Sequence, residues 1–155
     1  NTMNKTYLEV SAIENGTVID HIPAQSLFKV MSVLGLEHIT NRITFGTNLE
    51  SQRIGTKAII KIADMEVDRN KLNKIAIFAP EARVSYIKDF EVSEKIKLQV
   101  PDVIEGSIKC ANPMCITNKE KIRTKFDVVN KCDISLRCHY CEKITQQNQF
   151  EIIND

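Results

Sequence analysis

The chain has no tryptophan and only three histidines, and aromatic residues make up 6% of its 155 positions. It has no charge excess either: 21 basic against 20 acidic residues leave a net charge of +1. No global field therefore draws it to nucleic acid or to an anionic membrane, and a nucleic-acid site would have to be a local patch. No run approaches the ~18 apolar residues of a membrane span, and the opening NTMNKTYLEV lacks the apolar stretch of a signal peptide. Internal repeats and low-complexity tracts are missing. No glycine-rich phosphate loop precedes a helix, and no nucleophile sits in an elbow or beside an evident base, so catalysis is not expected.

What the chain does have is cysteine in pairs. Cys110 and Cys115, then Cys138 and Cys141, make a Cys-x4-Cys…Cys-x2-Cys pattern. A short spacer lets two thiolates curl round one ion on a tight turn, so each pair supplies half of a tetrahedral zinc site. Four protein ligands leave no open coordination position, which makes the zinc structural. Disulfides would require an oxidising compartment and fit a smaller, more cysteine-dense chain, and a redox Cys-x2-Cys would leave the first pair without a purpose. A single iron would also fit four thiolates. Cys132 stands at no knuckle spacing and is expected to be a small buried apolar residue. Thiols and thiolates together make the cytoplasm the natural setting.

Roughly fifty residues around these cysteines bury too little core without a metal staple. Pro101 and Gly106 bracket a linker, so a first domain over 1–101 and a zinc domain over 102–155 are expected. In the first, 6–14 alternates as a strand, Asn15-Gly16 reads as a two-residue turn, and TVIDHI follows as a strand. Leu27, Phe28, Val30, Met31 and Leu34 recur at helical spacing between Pro23 and Gly35. Residues 39–49 and 57–64 read as a hairpin, Asp68 caps a short helix through about Asn73, 75–79 reads as a buried strand, and 83–98 as further strand. Strand, helix, two strands, helix, strand is the ferredoxin-like split pattern of an α+β domain. Its two helices cover one face of an antiparallel sheet and leave the other for a ligand or a second subunit.

On that other face Lys57 and Lys61 lie four apart in one strand, with Ile59 between them, and Lys95 comes from the terminal strand. Clustered ammonium groups suit the negative charge of a polyphosphate, although lysines on a solvated face are the commoner case. Asp20 and His21 form a polar pair at a strand end.

The strings GTVIDHIPAQ (16–25), RIT-G-NL (42–49), IKI (60–62), AP (79–80) and CHYCEK (138–143), with the Cys-x4-Cys pair before the last, carry a resemblance. The chain resembles the regulatory chains of aspartate carbamoyltransferase along essentially its whole length. The resemblance implies a chain without catalytic activity, in which an allosteric domain binds ATP as activator and CTP with UTP as inhibitor and pairs two regulatory chains. It also implies a zinc domain that grips the catalytic chain, within a dodecamer of two catalytic trimers and three regulatory dimers serving pyrimidine biosynthesis.

Carried over position by position, the nucleotide site falls on Val10, Ser11, Ala12, Ile13, Val18, Asp20, His21, Lys57, Ile59, Lys61, Ser85, Ile87, Phe90, Val92 and Lys95. Lys95 would hold phosphates, Lys61 would lie near ribose and base, Asp20 would accept from ribose hydroxyls, and backbone groups near Ala12 and Ile13 would read the base edge. Ser11, Ser85 and Phe90 stand where the family commonly has glutamate, asparagine and tyrosine. Asn112, Tyr140, Glu142 and Lys143 are the implied contacts to the catalytic chain, with Met114 in place of a polar residue. The alternative function is a nucleic-acid-binding zinc ribbon. Lys109, Lys119, Lys121, Arg123, Lys125 and Arg137 surround the cage, but acidic residues interleave and only Phe126 and Tyr140 could stack.

Overall fold

The structure is a computed structural model that describes residues 10–153. The chain divides between Leu98 and Gln99 into two compact units. Among the described residues no helix is long and apolar enough to cross a membrane.

The first unit runs β1 (Gly16–Pro23), α1 (Leu27–Val33), β2 (Ile43–Ser51), β3 (Gly55–Ala63), α2 (Arg69–Ile75), β4 (Arg83–Lys88) and β5 (Glu91–Ile96). Its sheet has the order β2-β3-β1-β4-β5, and every pairing is antiparallel. The first four strands and two helices reproduce the expected split pattern, and β5 is added as a hairpin on β4. Period two decides which residues are covered: Ile19, Ile22, Ala58, Ile60, Ile62, Val84, Tyr86 and Ile96 are buried, and with Leu27 and Val30 of α1 and Leu72 and Ile75 of α2 they make the core. Each fully buried isoleucine is worth about 1.5–3 kcal/mol over an exposed one. The alternate residues, Val18, Asp20, Lys57, Ile59, Lys61, Ser85 and Lys95 among them, take the opposite face.

Local signals explain the ends. Asp68 caps α2 by accepting from the Asn70 backbone amide at 3.2 Å. Gly35, just past α1, has φ 65°, the left-handed conformation that stops a helix. Gly16 has φ 139°, and a Cβ there would stand 2.0 Å from the Ile62 carbonyl oxygen, so β1 can lie against β3 at this point only with glycine.

Several expectations are corrected. Residues 75–79 are not a strand: Ala79 N donates to Ile75 O at 2.8 Å and Phe78 N to the same oxygen at 2.9 Å, so the run continues out of α2 as turns. A short, fully buried apolar run has no period that separates strand from helix. Residues 6–9 lie outside the described residues, and 10–14 form no strand although they alternate. Asn15-Gly16 is not a hairpin loop, because Gly16 already opens β1. The stretch 83–98 is two strands joined at Asp89-Phe90. Cys132 is exposed, in the turn after β7 (Lys125–Asn130), where the Asn130 side chain accepts from its backbone amide at 2.8 Å. That Asx turn fixes it at a loop tip rather than in a core.

The second unit holds β6 (Val103–Glu105), a single turn of helix, α3 (Ile116–Lys119), β7, β8 (Ser135–Cys138) and β9 (Ile144–Gln146). Its four strands pair in the order β6-β7-β8-β9 around Phe126, Ile108, Ile134 and Leu136.

Candidate functional sites: an open sheet face and a four-sulfur cage

The open face of the first sheet is organised as a row. Lys61 of β3 pairs with Val18 of β1, Val18 with Ser85 of β4, and Ser85 with Lys95 of β5. Strands lie about 4.8 Å apart, so this row carries an ammonium group at each end of roughly 14 Å. Beside it β1 bulges. Between the pairs Ile19↔Ile60 and Ile22↔Ala58, β1 has one residue more than β3, and His21 takes φ 60°. The bulge re-aims Asp20, whose Oδ1 accepts from the His21 backbone amide at 2.6 Å and from Lys57 Nζ at 2.9 Å.

Lys61 is buried, and its ammonium donates to the carbonyl oxygens of Val10 and Ser11 at 3.0 and 2.9 Å. Burial lowers its proton affinity, and the Asp20 carboxylate partly offsets this. Burial also lowers the pKa of His21 below 6.5, against Asp20 and in concert with the cations Lys57, Arg83 and Arg53. The His21 Nδ1 atom is buried with no hydrogen-bond partner.

The hairpin between β4 and β5 completes the face. Lys88 pairs with Glu91, leaving a two-residue loop in which Asp89 and Phe90 have φ 52° and 66°. Right-handed strand twist favours such a loop, ordinarily made with Asn-Gly. Phe90 N donates to Glu14 O at 2.9 Å and Asp89 N to Asn15 Oδ1 at 3.2 Å, which draws the loop tip to the segment before β1. Phe90 and Val92 are left 65% and 52% exposed.

A cleft of about 630 Å³ opens on this face. Val18, Asp20, His21, Ser85 and Lys95 line it, and so do Arg53, Glu81, Arg83 and Lys97. The last four were missed by sequence reasoning. A signal existed in two of them: Arg83 is two residues before Ser85 on β4 and so shares its face, and Lys97 follows Lys95 at the same spacing just past the end of β5. Arg53 and Glu81 lie in turns, where no period speaks.

In the second unit Cys110, Cys115, Cys138 and Cys141 bring their sulfurs within 4.8 Å of one another. Cys110 Sγ lies 3.7 Å from Cys141 Sγ, and Cys115 Sγ lies 3.7 Å from Cys138 Sγ. A regular tetrahedron with zinc–sulfur bonds of about 2.3 Å has edges of about 3.8 Å, so the spacing fits one zinc ion. Backbone geometry sets the knuckles. Glu142 N donates to Cys138 O at 2.9 Å, Cys138 N donates to Lys143 O at 3.0 Å, and Glu142 has φ 64°. Asn118 Nδ2 ties the first knuckle by donating to Cys110 O and Asn112 O at 2.9 and 2.8 Å. Tyr140 N and Thr117 Oγ1 donate to Cys138 and Cys115 sulfurs at 3.4 and 3.2 Å, supporting thiolate charge. Burial pushes the Cys110 and Cys138 thiols up, whereas Cys141, against its own burial, is brought down to about 7 by hydrogen bonds from Asn112 and the Lys143 backbone. A bound cation would hold the raised pair as thiolates too. Around the cage Met114 and Tyr140 are 69% and 45% exposed, Glu142 and Lys143 are exposed, and Asn112 is half-buried.

Both halves match known families in chain order. Residues 8–99 match the family model described as the aspartate carbamoyltransferase regulatory chain, allosteric domain, and residues 102–151 match the metal binding domain of the same chain. The chain belongs to the aspartate carbamoyltransferase regulatory-chain family. It is 48% identical over 150 residues to the regulatory chain of Bacteroides fragilis, covering 97% of this chain and 98% of that one. It is 44% identical to that of Porphyromonas gingivalis, covering 97% and 100%, and 45% identical to that of Pyrococcus horikoshii, covering 92% and 95%. As a regulatory chain of this family it has an allosteric unit and a metal-binding unit, and its four clustered cysteines fit a single structural zinc.

Proposed function

We propose that the first unit binds nucleoside triphosphates on its open face, ATP as activator and CTP with UTP as inhibitors. The carrying observation is the row from Lys61 to Lys95 beside the bulge that aims Asp20. Lys95 meets phosphate, the carbonyls near Ala12 and Ile13 read the base, and Phe90, Val92, Ile59 and Ile87 supply apolar contact. Asp20 accepts from ribose while Lys57 holds its charge. The second unit, its loops stiffened by zinc, presents Asn112, Tyr140, Glu142 and Lys143 to the catalytic chain of aspartate carbamoyltransferase. A cage of four thiolates keeps no open position for substrate, in line with a subunit that is not itself catalytic.

Two copies of the regulatory chain pair, and three such dimers join two catalytic trimers in the cytoplasm, within pyrimidine biosynthesis. Support for self-pairing comes from the edge at β2, where Phe28 and Phe45, 68% and 45% exposed, stack edge to face at 6.5 Å. Nucleotides act by linkage: an effector shifts the assembly only by binding its two quaternary states unequally, typically by 1–3 kcal/mol.

Calorimetric titration of the zinc-loaded chain with CTP and ATP tests the reading. Saturable binding is expected, and Lys95→Ala is expected to weaken it about tenfold through loss of a charged hydrogen bond. Binding of a short single-stranded RNA with none of nucleotide would instead support the zinc-ribbon alternative.

His21 supplies a second test. With its folded pKa below 6.5, the unfolded chain takes up a proton first as pH falls through 6.5, so stability falls progressively between that pH and the folded value of His21 and stays lower beneath it. A phosphate beside it raises that pKa, so nucleotide binding near pH 6 is expected to take up protons. Titrations in buffers of different ionisation enthalpy would measure the uptake, and a His21→Gln variant would lose it.

A further inference from the structure

The side of the cleft formed by Arg53, Glu81, Arg83 and Lys97 has no part in the nucleotide contacts described above. It has an uneven charge. Arg53, Arg83, Lys95 and Lys97 bring four cations to a cleft that holds two carboxylates, Asp20 and Glu81. Asp20 is engaged by Lys57 at 2.9 Å, although Arg83 is its partner across the β1–β4 pairing. Glu81 is engaged by Arg53, Nη2 to Oε1 at 2.6 Å. Among the described residues no carboxylate lies within ion-pair reach of Arg83, Lys95 or Lys97. Gathering cations in a cleft without counter-charge is unfavourable until an anion enters.

The Arg53–Glu81 pair has a particular position. Arg53 stands in the turn between β2 and β3, Glu81 in the turn before β4, 28 residues further on, and both line the cleft. The pair is exposed, Arg53 by 35% and Glu81 by 66%, and exposed pairs are weak. A guanidinium prefers a phosphate it can grip with two parallel hydrogen bonds. Arg53 and Arg83 are also close enough to His21 to depress its proton affinity, which places their charge at the bulge where the row of the effector site begins.

We propose that Arg53, with Arg83 and Lys97, forms an outer anion subsite of the cleft for the terminal phosphates of a nucleoside triphosphate, and that Glu81 occupies Arg53 until the ligand displaces it. The subsite rests on the nucleotide reading above and deepens it: it makes the cleft selective for the length of the phosphate chain. A monophosphate gains nothing from Arg53 because it cannot displace Glu81, whereas a triphosphate reaches past Lys95 to take its place.

The test is titration of the full zinc-loaded chain, at fixed ionic strength, with ATP, ADP and AMP. Arg53→Gln is expected to weaken ATP about tenfold and leave AMP unchanged. Glu81→Gln is expected to tighten ATP about two- to fivefold, again with AMP unchanged, and to do nothing when Arg53→Gln is already present. Both side chains are at the surface, so the variants should keep the wild-type circular dichroism. An ATP-to-AMP affinity ratio equal in wild type and both variants would overturn the subsite while leaving nucleotide binding intact. If wild type binds no nucleotide, the effector reading fails separately. Inorganic tripolyphosphate then decides the subsite alone: binding weakened by Arg53→Gln sustains it, and no binding overturns it.

Discussion

Stripping zinc with a chelator, or replacing Cys138 with serine, is expected to unfold residues 99–155 while leaving the first unit folded. The second unit closes on few large side chains, Phe126, Ile108, Ile134, Leu136 and Phe150 among them, and a core of that size does not stabilise a domain alone. Structural zinc contributes about 10–16 kcal/mol to folding in small metal-stapled units at neutral pH. Removing Cys138 leaves an incomplete ligand set in which burial still opposes ionisation of Cys110. Alkylation followed by mass analysis reads the result residue by residue. In the loaded chain only exposed Cys132 should react, and in the stripped chain all five cysteines should. Metal analysis should find one zinc per chain before and none after. Retention of zinc and of thiol protection in Cys138→Ser would refute the four-sulfur assignment.

The second large effect is expected at Lys61. Its ammonium is buried and donates to two carbonyls, those of Val10 and Ser11, so Lys61→Ala deletes two charge-assisted bonds and leaves both acceptors short of a partner. Bonds to charged groups are worth about 1.5–3 kcal/mol each, and relaxation of the segment into water recovers part. A net loss of about 2 kcal/mol in denaturant unfolding of the first unit follows. For nucleotide the consequence is larger than a single contact suggests, since the carbonyls that read the base lie on the segment that Lys61 holds. A fall of more than about tenfold in CTP and ATP affinity is expected from losing both a charge and the placement of that segment. Lys61→Met, which keeps length and apolar burial but neither hydrogen bond, should recover only the packing part of the stability and none of the affinity. Equal affinity in Lys61→Met and wild type would show that the ammonium serves the fold alone.

How much of this was legible in the sequence depends on which forces fix each element. Strands with one covered face, such as 55–63, announce themselves by alternation, and the helix before Gly35 by its stripe and its left-handed stop. The cage was legible because metal ligation imposes local spacing. Residues 75–79 were not, because a run buried on every side carries no period. Nor was the break at Asp89-Phe90, where a phenylalanine adopts a backbone conformation usually left to glycine or asparagine. Arg53 and Glu81 illustrate the remaining gap: their meeting is set by two turns whose approach depends on the finished sheet, so no local pattern marks either one.

The two borders of the five-stranded sheet are unlike. Among the described residues no strand pairs with the outer side of β2, which runs beside the exposed rings of Phe28 and Phe45, whereas β5 carries the exposed charges of Glu91, Glu94 and Lys95. A head-to-tail stack needs one border of each copy to accept the other border of the next, and charge at β5 blocks that step. Joining β2 to β2 about a twofold axis uses the same surface on both partners and leaves only charged borders outside. In the dimer proposed above, pairing of this kind would end growth at two copies, and the asymmetry of a single sheet would keep a sticky edge from becoming the seed of a fibre.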